Sequence, residues 1–205
     1  GHPLVEIIEK EIKNRDLFQL DSNKPIIALL PGSRKQEIKK MIPVFRSVIR
    51  HFSDYDFILA AVSTVNKDCY AEILNDNKIK IVFDKTYSVL KRSTAAIVTS
   101  GTATLETALF NVPQIVCYKS SLFSYSVGKL FIKLKFISLV NIIMDREVVK
   151  ELIQNDCSEM KIVNALSYLL KDENILNIKK EYKILRGKLG KGGTSLKVAK
   201  LVTKA

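Results

Sequence analysis

Lys24 to Ile38 reads KPIIALLPGSRKQEI, and this stretch decides the fold of the 205-residue chain. Its first part, Ile26 to Leu30, is an unbroken apolar run, which is typical of a parallel strand buried on both faces. Pro31-Gly32 ends that strand, and from Lys35 onward the apolar residues recur with a helical period. The stretch therefore predicts a strand, a tight turn and a helix, in that order.

The turn in this stretch has the features of an anion site. Gly32 allows a tight turn and a close approach of the backbone to a ligand. Ser33 is the predicted N-cap of the helix, with Gln36 or Glu37 near the spacing of a capping box. Unpaired N–H groups at a helix N-terminus attract anions, and Arg34 adds a planar set of donors. The turn predicts a phosphate or diphosphate site; an ordinary turn with a solvated arginine is the alternative.

Further apolar runs alternate with helical patterns along the chain. The predicted strands are Asp56–Val62, Ile79–Phe83, Ala95–Ser100 and Pro113–Tyr118. The predicted helices between them cover Asn66–Asn75 and Tyr87–Arg92. This alternation indicates an α/β fold, a Rossmann-like parallel sheet with helices on both faces. We expect a single domain, with a linker helix over 1–20, an α/β core over 24–157 and C-terminal helices over 158–205.

A second strand-to-helix turn repeats the logic of the first. Ser100, Gly101 and Thr102 offer hydroxyls and backbone N–H groups where another predicted helix begins. Glu106 follows one turn into that helix, where its carboxylate could reach sugar or ribose hydroxyls; a carboxylate that only complements the helix dipole is the alternative. Ligands of parallel sheets bind beyond the carboxyl ends of the strands, so both turns are expected to face one crevice.

Composition limits the partners of the chain. It carries 33 Lys+Arg against 21 Asp+Glu, a net charge of +12 that favours an anionic partner. Its 3 cysteines are widely separated and its 2 histidines lie in no metal-ligand motif, so we expect a reducing compartment and no bound metal. No apolar run reaches the roughly 18 residues that span a membrane. The opening Gly-His-Pro suggests a piece of a longer protein.

Several motifs together resemble the C-terminal half of lipid-A-disaccharide synthase, a family of GT-B glycosyltransferases. The resemblance rests on LLPGSRKQEI, SGTATLE, PQIVCYK, and ISLVNII followed by VVKELIQ. The opening GHPLVE resembles the family segment that joins the two halves of the enzyme. The motifs occur in the family's order and spacing, and they cover essentially the whole chain.

The resemblance implies a hexosyltransferase that transfers sugar from UDP-2,3-diacylglucosamine to 2,3-diacylglucosamine 1-phosphate. The products would be the β-1,6-linked lipid A disaccharide and UDP, with no cofactor. The general base and the acceptor site would belong to the N-terminal half, which is absent from this chain, so we name no catalytic residue and expect the isolated piece to be inactive. The implied partners are that half, the lipid-linked UDP-sugar, an anionic membrane surface and, as a possibility, a second copy.

The resemblance also assigns binding residues. The PGSR loop, with Gly32, Ser33 and Arg34, would contact the diphosphate. Ser100, Gly101, Thr102 and Thr104 match the family's SGTAT loop at the donor site, and Glu106 matches its carboxylate, which would contact the ribose. Asn141 matches the family's SLxN segment near the donor, although Val140 stands where many relatives have proline. Gln154 is a further candidate at the crevice.

The segment from Lys119 to Met144 has no acidic residue before Asp145. Its lysines alternate with aromatic residues; they are Lys119, Lys129, Lys133 and Lys135, with Phe123, Tyr125, Phe131 and Phe136. This composition suits the headgroup region of an anionic membrane. The resemblance implies a cytoplasmic-side enzyme, so we expect a cytoplasmic protein that is peripheral on the inner membrane. A core-packed helix with solvated lysines is the alternative.

Two other functions compete with this interpretation. One is another UDP-sugar protein with the same sheet, either a peptidoglycan N-acetylglucosaminyltransferase or a UDP-sugar epimerase. The other is a basic nucleic-acid-binding module. The aromatic residues lie in apolar runs instead of forming an exposed stacking platform, and no nucleic-acid signature occurs, so we expect no nucleic acid partner.

Overall fold

The computed structural model describes residues 2–14, 22–74, 79–119 and 135–190. The strands in these ranges are β1 (Ile26–Leu30), β2 (Asp56–Ala61), β3 (Ile79–Phe83), β4 (Ser93–Thr99), β5 (Gln114–Tyr118) and β6 (Lys150–Ile153). The α-helices are α1 (Pro3–Lys13), α2 (Lys35–Ile49), α3 (Ala71–Leu74), α4 (Thr86–Arg92), α5 (Thr102–Leu109), α6 (Leu139–Met144), α7 (Glu159–Leu169) and α8 (Asp172–Leu189). Two 3-10 helices cover Lys67–Tyr70 and Gln154–Asp156.

The strands form one parallel sheet in the order β3-β2-β1-β4-β5-β6. This is the strand order of a Rossmann-like fold, so the predicted fold class is confirmed. The five predicted strands are present within two residues of their expected ends. The sixth, β6, was not predicted because it is short and begins with the charged residues Lys150 and Glu151.

Alternate residues of β1 pack into two separate apolar layers, one on each face of the sheet. Ile27 and Leu29 contact the layer that α1, α2, α7 and α8 cover. Ile26, Ala28 and Leu30 contact the opposite layer, to which α4 contributes Val89 and Leu90. Every residue of β1 is therefore buried, which explains why its sequence is continuously apolar instead of alternating.

The predicted helices match the structure less closely than the predicted strands do. The predicted helix over Asn66–Asn75 is a 3-10 turn at Lys67–Tyr70 that continues into the short α3. The helical region after Ser158 is confirmed through α7 and α8, which ends at Leu189. The rest of that predicted region, residues 191–205, lies outside the described residues.

The strand order positions a crevice between β1 and β4. From β1 the chain proceeds outward through β2 and β3, whereas from β4 it proceeds in the other direction through β5 and β6. The loops that follow β1 and β4 therefore diverge to opposite sides and leave a gap above the sheet. Leu30 of β1 pairs with Val98 of β4 at its edge, and the two predicted anion-binding turns come directly after these residues.

Candidate functional site

The crevice above β1 and β4 has a volume of about 450 Å³, which is within the range of small-molecule sites. It brings together the two turns that the sequence singled out. Its walls include Gly32, Ser33, Arg34, Ser100, Gly101, Thr102 and Glu106 from the predicted set. They also include residues that were not predicted: Leu30, Pro31, Glu37, Ala60, Val62, Thr86, Thr99 and Ala103.

The β1–α2 loop, residues 31–34, differs from the prediction in its helix cap. Arg34, and not Ser33, is the N-cap residue of α2, so the predicted Ser33 cap is wrong. Gly32 has a φ of 94°, and this left-handed turn delays the start of the helix by one residue. Glu37 completes the other half of the expected capping box, since its Oε2 accepts from the backbone N–H of Arg34 at 3.3 Å.

Glu37 also occupies part of the predicted anion site. Its Oε1 lies 3.5 Å from Nη1 of Arg34, whose side chain is 84% exposed. The Arg34 guanidinium is thus held loosely at the mouth of the crevice, with most of its donors available. A ligand phosphate at the start of α2 would share this guanidinium and the helix N-terminus with the chain's own carboxylate.

The β4–α5 loop, residues 100–101, is held by two short hydrogen bonds. Ser100 Oγ donates to the carbonyl of Ile137 at 2.9 Å, which ties the loop to the segment before α6. Thr104 Oγ1 donates to the carbonyl of Gly101 at 2.8 Å. Thr104 is fully buried and does not line the crevice, whereas Gly101 and Thr102 are exposed there. Thr104 therefore shapes the loop, and the surface available to a ligand is formed by its neighbours.

Glu106 lines the crevice, and its carboxylate accepts a hydrogen bond from a side chain on α4. The hydroxyl of Tyr87, in the first turn of α4, donates to Glu106 Oε1 at 2.9 Å. The Tyr87 ring packs on Phe110 with 5.1 Å between ring centroids. Burial, together with the adjacent Glu106 carboxylate, raises the pKa of Tyr87 far above its ordinary value. Tyr87 therefore remains a neutral hydrogen-bond donor to Glu106 throughout the physiological range.

Thr99 is a crevice residue that sequence reasoning missed. It is the last residue of β4 and is 3% exposed. Among the described residues its Oγ1 has no hydrogen-bond partner, although buried hydroxyls normally have one. Its place directly before the Ser100-Gly101 turn was the only sequence signal for it.

Asn141 is placed away from the crevice. It is fully buried in α6, and its amide is hydrogen-bonded on both sides. Nδ2 donates to the Val149 carbonyl and to Glu151 Oε1, each at 2.8 Å, while Oδ1 accepts from the N–H groups of Val148 and Val149. All four positions of the amide are thereby used within the chain. In this arrangement the Asn141 side chain joins its loop to β6, and the donor contact of Asn141 stays a prediction.

Glu151, in β6, accepts hydrogen bonds from the segment before α6 and from Asn141. Its carboxylate accepts from the N–H groups of Ile137 and Ser138, both at 2.9 Å, and from Ser138 Oγ at 2.7 Å. Since Ile137 also accepts from Ser100, a chain of hydrogen bonds connects the β4–α5 loop to the edge of the sheet. Sequence reasoning missed Glu151 because its partners are remote in the chain.

Gln154, the further candidate at the crevice, lies directly after β6 and does not line the crevice. Its backbone has a φ of 52°, which is uncommon for a residue other than glycine. Two strands, β4 and β5, separate the middle of the crevice from this position. The structure therefore does not place Gln154 beside Arg34 and Glu106.

Among the described residues, no group of three or more His, Cys, Asp or Glu side chains could hold a metal ion. None of the described helices combines the length and apolar character needed to cross a bilayer. Most of the predicted membrane segment, residues 120–134, lies outside the described residues; at its end, Lys135 Nζ lies 5.1 Å from the Phe136 ring centroid.

Comparisons with solved structures agree with the fold. The chain superposes on the Methanocaldococcus jannaschii UDP-GlcNAc 2-epimerase in complex with UDP-GlcNAc and UDP, with a TM-score of 0.64 and 15% identity. That match covers 100% of this chain and 54% of the epimerase chain. The glycosyltransferase SnogD from Streptomyces nogalater gives a TM-score of 0.53 at 18% identity, over 93% of this chain and 48% of that one. At these identities the likeness concerns the fold alone.

Comparisons with known sequences identify the family of this chain. The family model described as lipid-A-disaccharide synthetase matches residues 1–203. The lipid-A-disaccharide synthase of Sulfurihydrogenibium sp. (strain YO3AOP1) is 34% identical over 223 residues, which cover 98% of this chain and 57% of that protein. The chain thus spans about half the length of the curated relatives that it matches. By its sequence, this chain belongs to the lipid-A-disaccharide synthase family.

Proposed function

We propose that this chain is the donor-binding half of a lipid-A-disaccharide synthase and that its crevice binds the UDP-linked sugar. One observation carries the proposal: Arg34 and Glu106 line the same crevice of about 450 Å³ at the point where the strand order reverses. A cation and a carboxylate in one crevice suit a ligand with a diphosphate and a neighbouring diol. UDP has both groups.

Arg34 would contact the diphosphate. Its guanidinium is exposed at the start of α2, and both the guanidinium and the helix N-terminus favour negative charge. When the sugar is transferred, negative charge builds up on the departing UDP, and these donors would stabilise it. This role needs no metal ion. Thr102 and the backbone of Gly101 would face the same diphosphate from the start of α5.

Glu106 would contact the ribose. Glu106 lines the crevice from one turn inside α5, and its Oε1 accepts a hydrogen bond from the Tyr87 hydroxyl. Carboxylates accept hydrogen bonds from adjacent sugar hydroxyls, and charged acceptors make the stronger bonds. Asn141 and Gln154 are left out of the proposed contacts, since neither lines the crevice.

The proposed reaction joins UDP-2,3-diacylglucosamine to 2,3-diacylglucosamine 1-phosphate and releases UDP. The acceptor site and the general base would come from an N-terminal half, in agreement with relatives of about twice this length. We expect the protein to work on the cytoplasmic side of the inner membrane, where its lipid substrates lie. A homodimer is a further possibility.

Calorimetry with UDP, with and without EDTA, tests the binding proposal. The expected result is a single UDP site whose affinity EDTA leaves unchanged, together with no glycosyl transfer by the 205-residue chain alone. Strict dependence of UDP binding on a divalent metal would contradict the proposal, as would transfer catalysed by this chain without the other half.

A UDP-sugar epimerase is the alternative function, and the family match favours the synthase over it. A peptidoglycan N-acetylglucosaminyltransferase would share the same donor site. These candidates act on sugars without acyl chains, whereas the main proposal requires a lipid-linked donor. Tight binding of UDP-GlcNAc, with no gain from acyl chains on the sugar, would favour them.

Membrane contact is proposed from the sequence of Lys119–Met144. Each lysine near an anionic leaflet could add roughly 1 kcal/mol of binding, and the aromatic side chains would add a part that salt does not weaken. Lys129, Lys133 and Lys135 changed together to Glu should abolish most binding to anionic vesicles and leave UDP affinity intact. Equal sedimentation of the triple variant and the parent with vesicles would contradict membrane contact.

A further inference from the structure

We propose that Tyr87 is a positioning residue for ribose recognition, which it controls by holding Glu106 from outside the crevice. The inference rests on the proposed function, because it names the group that makes Glu106 an effective ribose acceptor. Nothing in the sequence marked Tyr87 for this role: it lies 19 residues from Glu106 and follows a different strand.

The hydrogen bond connects two elements that the topology separates. Tyr87 lies on α4, which follows β3, whereas Glu106 lies on α5, which follows β4. In the sheet, β2 and β1 stand between these two strands. The 2.9 Å bond from the Tyr87 hydroxyl to Glu106 Oε1 therefore connects α4 to α5 beside the crevice.

Tyr87 acts from a second cavity beside the crevice. This adjoining cavity, of about 530 Å³, is lined by Glu11, Val62, Asp84, Lys85, Thr86, Tyr87, Ser88 and Glu106. Glu106 lines both spaces, whereas Tyr87 lines only the adjoining one. A ligand in the crevice would thus contact Glu106 but not Tyr87. Any effect of the Tyr87 hydroxyl on such a ligand must pass through the carboxylate.

Packing of the Tyr87 ring restricts the position of its hydroxyl. Its ring packs on Phe110, on the same apolar layer as Val89 and Leu90. The hydroxyl therefore presents its hydrogen to Glu106 from a nearly fixed point. The bond to Oε1 restricts the orientation of the Glu106 carboxylate before any ligand arrives. Preorganisation of this kind reduces the entropy lost on binding.

The adjoining cavity carries mixed charge beside Glu106: Lys85 lines it, and so do the carboxylates of Glu11 and Asp84. Tyr87→Phe removes only the hydroxyl and keeps the ring on Phe110. In this variant the Glu106 carboxylate loses the hydrogen bond that restricts it, so we expect it to contact ribose hydroxyls for less of the time.

The test compares UDP with 2′,3′-dideoxy-UDP, which lacks the ribose hydroxyls and keeps the diphosphate and base. For each variant the quantity measured is the ratio of the two dissociation constants. Both are taken on one protein preparation, so a reduced folded fraction cancels from the ratio. The variants are Tyr87→Phe, Glu106→Gln and the double substitution. Tyr55→Phe is the matched control, since it removes a half-buried hydroxyl just before β2, at the opposite end of the sheet.

The expected result is a preference of the parent protein for UDP that Tyr87→Phe lowers by about threefold to tenfold, the range for loss of one hydrogen bond. The affinity for the dideoxy compound should stay unchanged. Adding Tyr87→Phe to Glu106→Gln should lower the preference no further, because both changes act through one carboxylate. Tyr55→Phe should leave the preference at the parent value.

Three other outcomes would overturn the inference. Equal weakening of both ligands by Tyr87→Phe, which leaves the ratio unchanged, would make Tyr87 a purely structural residue. Unchanged affinities for both ligands would show that Glu106 needs no positioning. A parent protein that binds UDP without preferring it to the dideoxy compound would remove the ribose role and leave the donor site standing. Absence of any UDP binding would instead overturn the proposed function itself.

Discussion

The Glu37 carboxylate lies against Gly32, in the space that a side chain on Gly32 would need. A Cβ atom built on Gly32 would contact Glu37 Oε2 and lie 3.1 Å from Glu37 Cβ. The same carboxylate accepts from the backbone N–H of Arg34. The turn, the helix cap and the anion site therefore depend on one pair of residues, and the first two predictions separate their roles.

Gly32→Ala should lower the free energy of unfolding by about 1–3 kcal/mol, the cost of a strained backbone position. The φ of 94° at Gly32 disfavours any side chain, and the new methyl group would push Glu37 aside. Urea denaturation gives the measurement. The control is Gly187→Ala in α8, where no atom lies within 4 Å of the new Cβ and a gain of about 0.5–1 kcal/mol is expected. Equal stability of Gly32→Ala and the parent would contradict the strain argument.

Glu37→Gln should strengthen UDP binding and leave uridine binding unchanged. Removing a negative charge a few ångströms from a ligand phosphate is worth about 1 kcal/mol in a solvated site, or roughly a fivefold gain in affinity. Calorimetry with UDP and with uridine gives the two affinities. Glu159→Gln, in the first turn of α7, is a control at a helix N-terminus outside the crevice. Weaker UDP binding by Glu37→Gln would mean that Glu37 holds Arg34 for the ligand instead of competing with it.

Arg34→Ala and Glu106→Ala should damage different parts of donor recognition. Arg34→Ala should weaken UDP binding with little effect on uridine, because only UDP carries the diphosphate. Glu106→Ala should weaken both ligands, because both contain the ribose. Each affected affinity should fall by an amount on the order of 1–3 kcal/mol, the scale for losing a charged hydrogen-bond partner. Equal losses of uridine affinity in the two variants would refute this assignment.

Asn141→Ala should destabilise the fold by about 3 kcal/mol, because it leaves several buried groups without hydrogen bonds. These groups are the N–H groups of Val148 and Val149, the Val149 carbonyl and one bond of Glu151. UDP affinity of the folded variant should equal that of the parent. Asn164→Ala, on the exposed side of α7, should change stability by no more than about 0.5 kcal/mol. Loss of UDP affinity in a stably folded Asn141→Ala protein would restore a donor contact to Asn141.

Asp84→Asn should lower stability at neutral pH and have less effect in acid. Hydrogen bonds from Ser63, whose backbone N–H lies 3.0 Å from Asp84 Oδ1, hold the pKa of Asp84 below its ordinary value. A carboxyl group with a lowered folded-state pKa stabilises the fold above its unfolded-state pKa, and this contribution disappears as pH falls through the folded-state pKa. Denaturation of parent and variant between neutral pH and acid gives the difference. A difference independent of pH would show that the ionised carboxylate makes no contribution. Ser63→Ala should reproduce part of the neutral-pH loss.

The strands and the two anion-binding turns could be predicted from the sequence because their signals are local. β1 and β4 are apolar runs bounded by Gly-containing turns, and a run buried on both faces is apolar whatever its neighbours are. The alternation of strands and helices then required parallel pairing and right-handed crossovers. Applied to the sequence alone, those rules predict that Arg34 and Glu106 lie at the same edge of the sheet.

The cap of α2 could not be predicted from the same signals. Ser33 has the side chain of a good N-cap, but the backbone at Gly32 shifts the helix start to Arg34 and leaves Glu37 to cap it. Asn141 and Glu151 show the same limit over a longer distance. Their hydrogen bonds join α6, the following loop and β6, and no spacing in the chain indicates which polar groups meet.

By itself, the sequence determined the apolar strands, the anion-binding turns and the family, since each depends on residues adjacent in the chain. Only the tertiary structure decided which side chains face the crevice. It brought Glu37 beside Arg34 and Tyr87 behind Glu106, left Thr99 without a hydrogen-bond partner among the described residues, and turned Asn141 inward. The physical reason is that a buried polar group takes the nearest partner in space, and packing of distant segments determines which partner is nearest.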